Sequence, residues 1–390
     1  MGTLAAPRPA VPTGPGILRQ ARIDRRAAKE LLRAFDQSVQ ASICQELRPG
    51  LRSEFLMLVD HPEHVVPLLP STELCITMRA GAMSEAAWLL ELATPEQRQA
   101  CLDLDVWNGA SLEIPRLLEW IDALIEAGRP TLARAITELD PELWVLLLKR
   151  NADIAIVGRE DEPPDGYFTE DGVVYVRARS DDDFARLREV LQTAFADTQP
   201  DYWRFVYGAL HEHETECEEF ALRWRVGRLA DLGFPDREWA MQAYRPLDPA
   251  EIEPVALTQW QGELTQLAQR VTLPRALSGT LVGEALSALP AESASDILGY
   301  VLGVANSIAV ADQIPLSEEE SVPAALRKAV AGIDVGLREL ARRRDQSPEE
   351  VLQVTRPLDL FRVGVTCEPA VRAIDIRPAV DDDGEADEGA

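Results

Sequence analysis

The sequence contains few of the side chains that metal centres and nucleophilic active sites use. Its 390 residues include four histidines and five cysteines, and no two cysteines form a C-x-x-C pair. The cysteines are Cys44, Cys75, Cys101, Cys217 and Cys367. An odd, scattered set argues against a disulfide framework or a four-cysteine zinc site and indicates a reducing compartment, which we take to be the cytoplasm. The chain also lacks the G-x-x-x-x-G-K-[ST] and G-x-S-x-G motifs, so we predict no cofactor.

Positive charge and long apolar runs are also lacking. Lys and Arg total 39 against 66 Asp and Glu, which gives a net charge of −27. Such a surface repels phosphate backbones, so we expect no nucleic-acid binding by the body of the protein. The longest uncharged apolar stretch, residues 297–311, is shorter than the ~20 residues that cross a bilayer. We therefore interpret it as a buried helix and predict no transmembrane segment.

Helix start and stop signals are abundant. Thr94-Pro95-Glu96 and Asp140-Pro141-Glu142 each offer a capping side chain, a proline at the first helical position and an acid in the first turn. We predict a mainly α fold, with a superhelix-like array of short antiparallel helices over residues 51–150 and a second helical bundle over residues 180–376. Pro95 and Pro141 lie 46 residues apart, close to the period of two-helix repeats.

Other segments depart from this pattern. Residues 151–179 alternate apolar and polar side chains around an Asp-Gly turn and predict a small β insertion. Residues 1–16 lack the apolar core of a signal peptide and predict a disordered arm, and residues 377–390 predict a disordered acidic tail. Residues 358–376 suggest a short extended pair.

Residues 17–50 predict one basic amphipathic helix. Its basic stripe consists of Arg19, Arg22, Arg26, Lys29 and Arg33. Such a stripe is typical of a helix that contacts anionic lipid or nucleic acid. More often such a stripe belongs to a solvated face, or to a helix docked on the acidic body of its own protein, and we favour these last two interpretations.

Four short motifs carry a resemblance to a known family. They are RWRVGRLADLGFP at 223–235, YRPLDP at 244–249, CLDLDVW at 101–107 and LFRVG at 360–364. Together they resemble a bacterial family catalogued only as a domain of unknown function, over most of residues 65–365. The resemblance implies a mainly helical bacterial protein and no known activity. The short helices of residues 70–150 are also similar, at the level of fold alone, to the helical superhelix of magnesium transporter amino-terminal domains.

Residues 211–217 contain the most suggestive metal-binding pattern. His213, Glu214 and Cys217 copy the spacing of H-E-x-x-H, with cysteine in place of the second histidine, and His211 lies beside them. Imidazole and thiolate are good zinc ligands, so zinc is the alternative to the absence of a cofactor. This reading would make the protein a metal-dependent, hydrolase-like enzyme. The competing interpretation is a solvated acidic helix face with a buried cysteine.

Arginine and aromatic residues are concentrated in residues 223–245, which we predict to present a surface for a partner protein, because these side chains predominate at binding hot spots. We expect Arg225, Arg228 and Asp231 to face outward. The predicted contact residues are Arg223, Trp224, Arg225, Arg228, Asp231, Arg237, Trp239, Tyr244 and Arg245. The competing interpretation of this segment is a structural helix–helix corner, because the turn residues Gly233 and Pro235 explain most of its pattern. The function that the sequence favours is an interaction or scaffold protein. The identity of the partner and the oligomeric state remain open.

Overall fold

The computed structural model describes residues 12–158, 162, 165–255, 257 and 276–374. Within these residues the fold is mainly α, as predicted, with twenty α-helices and two sheets of two strands each. The described residues form two compact units that divide after Ala230. The predicted tail and residues 1–11 of the predicted amino-terminal arm lie outside the described residues. The end of that arm was predicted wrongly, because residues 14–16 form the start of a helix that the Thr13 side chain caps.

The first unit opens with four short helices, the first three of which occupy the region where one long helix was predicted. They are α1 (Gly14–Ile23), α2 (Arg25–Leu32), α3 (Gln37–Gln45) and α4 (Pro49–Leu56). Asp24 has an extended backbone, and its carboxylate accepts hydrogen bonds from the amides of Arg26 and Ala27. Asp36 caps α3 in the same way, through the amide of Val39. The single-helix prediction was wrong because each aspartate satisfies the free amides of a new helix and so ends the previous one.

The predicted array of short helices follows. It comprises α5 (Ser71–Arg79), α6 (Met83–Ala86), α7 (Trp88–Leu92), α8 (Pro95–Asp105), α9 (Ile114–Glu126), α10 (Arg129–Glu138) and α11 (Pro141–Asn151), with 3₁₀ turns at Pro62–His64 and Val66–Leu68. Helices α8 and α11 start at the prolines that the sequence indicated. Thr94 and Gln97 form a reciprocal capping box at the start of α8. Strands β1 (Trp107–Asn108) and β2 (Ser111–Leu112) pair in the α8–α9 connection.

The predicted β insertion is a hairpin of β3 (Ala152–Ile156) and β4 (Val174–Ala178), paired antiparallel. Three helices complete the first unit: α12 (Asp181–Asp197), α13 (Gln199–His211) and α14 (Glu214–Asp231). The division into units falls at the last residue of α14, after Ala230, whereas the sequence pattern placed the start of the second helical domain at residue 180. The reason is that α12 packs on α9 and α10 while α13 packs on α11, where Trp144 and Phe205 stack at 5.7 Å.

The second unit is a helical bundle. Its helices are α15 (Arg237–Met241), α16 (Leu281–Ser287), α17 (Ala291–Ala311), α18 (Ser321–Arg344), α19 (Pro348–Gln353) and α20 (Pro357–Cys367), with 3₁₀ turns at Gln242–Tyr244, Pro249–Glu251 and Pro369–Val371. The prediction of an extended pair over residues 358–376 was wrong. Pro357 occupies the first helical position of α20, where its missing amide hydrogen costs nothing.

Helices α18 and α20 cross with their backbones in contact. A methyl group on Gly336 would overlap the carbonyl oxygen of Leu360, and one on Gly364 would overlap the carbonyl oxygen of Gly332. Glycine is therefore needed at this crossing because any side chain would push the helices apart.

Helix α17 is the one described helix that is long and apolar enough to cross a membrane, by length and composition. Half of its most apolar window is buried inside the protein. The described residues therefore contain no clear transmembrane segment.

A buried cation lies beside the core of this unit. Lys328 donates hydrogen bonds to Asp312 (2.8 Å) and to the carbonyl of Arg372 (3.0 Å), and its ammonium lies 5.2 Å from the centroid of the Tyr244 ring. The Lys328 side chain is only 3% exposed.

Candidate functional site

Helix α14 carries the most specific sequence motif and has two chemically different faces. The buried stripe consists of Cys217, Ala221, Arg225 and Leu229, which are spaced four residues apart. Side chains at this spacing share one face of a helix. The stripe attaches α14 to the rest of the first unit through polar as well as apolar contacts.

Arg225 lies inside the protein, which corrects the expectation that it faces outward. Its Nε donates to the carbonyl of Asp103 (2.7 Å) and its Nη1 to the carbonyl of Gly109 (3.2 Å). The guanidinium also lies 5.4 Å from the centroid of the Trp107 ring, a cation–π contact. Burial lowers the pKa of Arg225 to about 10, and the nearby Asp103 carboxylate opposes this shift.

Arg228 was also predicted to face outward, but its side chain is largely buried and joins two helices of the array. It forms a fork with the Asp103 carboxylate, at 2.6 and 2.9 Å, and contacts the Asp140 carboxylate at 2.6 and 3.1 Å. Asp103 also accepts a hydrogen bond from Gln99. Asp140 precedes α11, and its side chain makes no capping bond because its carboxylate pairs with Arg228. The bidentate geometry gives these charge-assisted hydrogen bonds both strength and a fixed direction.

A second buried carboxylate lies two residues further along. Asp105 accepts hydrogen bonds from Trp120 Nε1 (2.7 Å) and Arg116 Nη1 (2.7 Å), and Arg79 Nε lies 3.5 Å away. The motif CLDLDVW thus supplies two buried carboxylates to a cluster of arginines. This cluster is structural, because its charges are paired within the first unit.

The opposite face of α14 is exposed. Phe220 and Trp224 are one turn apart and are 53% and 59% exposed, and Arg223 beside them is also exposed. A side chain on Gly227, one turn further along, would meet no atom within 4 Å. We call Phe220, Arg223, Trp224 and Gly227 the α14 face. Arg223 and Trp224 were predicted from the sequence, whereas Phe220 was not, although it precedes Trp224 by four residues and so shares its helix face.

The remaining predicted contact residues belong to the second unit and differ in exposure. Trp239 is 71% exposed, and Asp231, Arg237 and Arg245 are exposed as well. Tyr244 is buried, in contrast to the prediction, and its hydroxyl donates to the Asp312 carboxylate at 2.9–3.0 Å. Burial, together with this carboxylate, raises the pKa of Tyr244.

The predicted zinc ligands are not brought together. His211 stacks on Tyr207, and Glu214 pairs with Arg150 at 2.7 Å. The Cys217 thiol donates to Glu212 at 3.3 Å, and burial followed by that carboxylate raises its pKa to about 11. No three donor atoms of His211, His213, Glu214 and Cys217 lie within 4.8 Å of one another.

The fold and the α14 face define a mainly helical protein with an aromatic surface on one long helix. The chain belongs to the family described as "Family of unknown function (DUF6178)", whose model matches residues 29–373. No curated protein and no solved structure matches the chain. The similarity to magnesium transporter domains stays a prediction.

Proposed function

We propose that this protein is an interaction protein that binds a partner protein through the α14 face. The observation that carries the proposal is the pair of large aromatic side chains, Phe220 and Trp224, that are more than half exposed on adjacent turns. Aromatic and arginine side chains dominate binding hot spots because they bury large areas and, in arginine, offer a fork of donors. Arg223 supplies such a fork beside the two rings.

The attachment of α14 supports the same proposal. Arg225 and Arg228 hold the helix through hydrogen bonds to Asp103, Gly109 and Asp140, so Phe220 and Trp224 project from a fixed backbone. A preorganised surface loses less conformational entropy on binding than a flexible one.

The charge around the α14 face selects the chemistry of the partner. Glu216 and Glu219 are exposed next to Phe220, and the whole chain carries a net charge of −27. We infer a partner segment with apolar side chains against the two rings, Lys or Arg opposite Glu216 and Glu219, and an oxygen acceptor opposite Arg223, because charge complementarity speeds association. The same charge disfavours nucleic acid as the partner.

The location we propose is the cytoplasm of a bacterium. The five cysteines form no disulfide, and four of them are buried, which fits a reducing compartment. The bacterial source rests on the family resemblance carried by the motifs. We also retain the helical-repeat interpretation of the array, supported by the proline and the first-turn glutamate with which both α8 and α11 begin.

The test is affinity capture with the wild-type chain, identification of the captured protein, and titration of that purified protein by calorimetry. We expect Trp224→Ala and Phe220→Ala each to weaken binding by about 30-fold or more, as for hot-spot residues worth at least ~2 kcal/mol. Trp239→Ala, which removes an exposed tryptophan outside the α14 face, is the matched control and should bind as wild type. Circular dichroism checks that each variant is folded. Unchanged affinity in both α14 variants, or self-association as the only interaction, would contradict the proposal.

A further inference from the structure

Two of the four histidines lie together with a glutamate on one exposed turn. The segment is His61-Pro62-Glu63-His64, in which Pro62–His64 form a 3₁₀ turn. His61 Nδ1 and Glu63 Oε1 are 3.0 Å apart, and the two imidazole rings lie 5.7 Å apart, tilted by 35°. One donor atom from each of His61, Glu63 and His64 lies within 4.8 Å of the other two. Among the described residues, this is the one group of three or more such donors at that separation.

We propose that His61, Glu63 and His64 bind a divalent transition-metal ion such as Zn²⁺ or Ni²⁺, with water in the remaining coordination positions. Two histidines and a glutamate are a donor set that zinc accepts, and the open positions are those a fourth ligand takes. The imidazole ligands select borderline metals of this kind over Mg²⁺ and Ca²⁺, which prefer oxygen. The proposal is independent of the α14 face.

The distances suit one metal ion. Two ligands about 2.1 Å from a metal are about 3.0–3.4 Å apart at angles between octahedral and tetrahedral values, and His61 Nδ1 and Glu63 Oε1 have that separation in the hydrogen bond that joins them. A bound metal ion takes the place of the proton in this bond, and the proton is released to solvent. The His64 donor must approach by only ~1–2 Å, and because all three side chains are exposed, a rotamer change within the staggered set provides it.

The backbone of the turn is held in place. The amide of His64 donates to the carbonyl of His61 (3.1 Å), and that of Val65 to the carbonyl of Pro62 (3.0 Å). Val65 and Val66, which follow directly, are fully buried. The donors therefore extend from a fixed turn, which lowers the entropy cost of bringing them around a metal ion.

Nearby charges influence the affinity of this site for a metal ion. Asp60, the preceding residue, pairs with Arg33 and lies 3.9 Å from Lys29. These two cations oppose a metal ion, while Asp60 and Glu63 attract one, so the local charge is close to balanced. With three protein ligands at the surface, we expect dissociation constants in the micromolar range.

The test is calorimetric titration of the full chain with Zn²⁺ and with Ni²⁺. It uses the Cys367→Ser background, because Cys367 is the exposed cysteine and its thiolate would compete for metal. We expect one site per chain, and at least a tenfold weaker affinity in the double variant His61→Ala/His64→Ala. Mg²⁺ at the same concentrations should give no binding heat.

The matched control is the double variant His211→Ala/His213→Ala, which removes the other two histidines of the chain. It should bind as tightly as its parent. The proposal is overturned if the parent shows no saturable binding of one metal ion per chain at metal concentrations up to the millimolar range. It is also overturned if both double variants lose affinity equally. Loss in the control alone would instead support the site predicted at residues 211–217. Melting curves establish that both variants are folded.

Discussion

Three arginines within six residues of α14 have different surroundings. Arg223 is exposed, whereas Arg225 is buried against the carbonyls of Asp103 and Gly109 and Arg228 is paired with two carboxylates. Replacing one partner of a buried polar pair leaves the other partner buried without a hydrogen bond. The free-energy cost of this loss is several times the stabilisation that a surface ion pair provides.

We expect Arg225→Ala and Arg228→Ala each to lower the free energy of unfolding by about 3–5 kcal/mol. Arg223→Ala, the control on the exposed face, should change it by less than about 0.5 kcal/mol. Urea unfolding followed by circular dichroism measures all three. A loss for Arg225→Ala no larger than that of Arg223→Ala would show that the buried network does not stabilise the first unit.

At the residue scale, the sequence predicted which helix carries the cluster of arginine and aromatic residues, but not which of these side chains are buried. The motif around Trp224 was recognisable, yet arginine at a four-residue spacing from Cys217, Ala221 and Leu229 does not resemble a buried stripe. Its partners, Asp103 and Gly109, are more than 100 residues away in the sequence. The pairing therefore depends on the tertiary fold, which local patterns do not encode.

At the scale of elements, two glycines inside helices have opposite surroundings. Gly336 in α18 faces the backbone of α20 without room for a methyl group, while Gly227 in α14 has open space around it. Alanine stabilises a helix interior by roughly 0.5–1 kcal/mol relative to glycine. The space around each glycine therefore decides whether its replacement by alanine raises or lowers the stability.

We expect Gly336→Ala to destabilise the second unit by about 1–3 kcal/mol, the usual cost of overpacking. Gly227→Ala should stabilise the protein by up to about 1 kcal/mol. Thermal unfolding of the two variants beside wild type distinguishes them. Equal shifts in melting temperature would show that the α18–α20 crossing can relax to accept a side chain.

Helix starts were easier to predict than helix interruptions. Pro95 and Pro141 predict where their helices start, because proline has the fixed φ that the first helical position requires. The breaks at Asp24 and Asp36 were missed because an aspartate in a helical pattern is compatible with a solvated side chain as well as with a cap.

At the scale of the whole molecule, the accessibility of the five thiols, which are spread along the chain, measures whether the protein is folded. Cys44, Cys75, Cys101 and Cys217 are buried, whereas Cys367 is exposed. Burial raises the pKa of Cys44 to about 12, with the Arg52 guanidinium opposing the shift, so this thiol stays protonated at neutral pH.

We expect a thiol reagent at pH 8 to modify one cysteine per native chain and all five after denaturation, because the thiolate is the reactive species and must be accessible. Cys367→Ser should leave no fast-reacting thiol. Absorbance of the released chromophore gives the count. Two or more fast thiols in native protein would mean that a buried helix contact opens readily.

The buried ammonium of Lys328 has a consequence for chemical labelling. The chain contains three lysines, Lys29, Lys149 and Lys328. Lys29 is about one-third exposed, while Lys149 donates to the carbonyl of Ala209. An acylating reagent therefore meets Lys29 at the surface, whereas it reaches the Lys328 amine only when the second unit opens. The extent of acylation at Lys328 over time is then a direct record of how often that opening occurs.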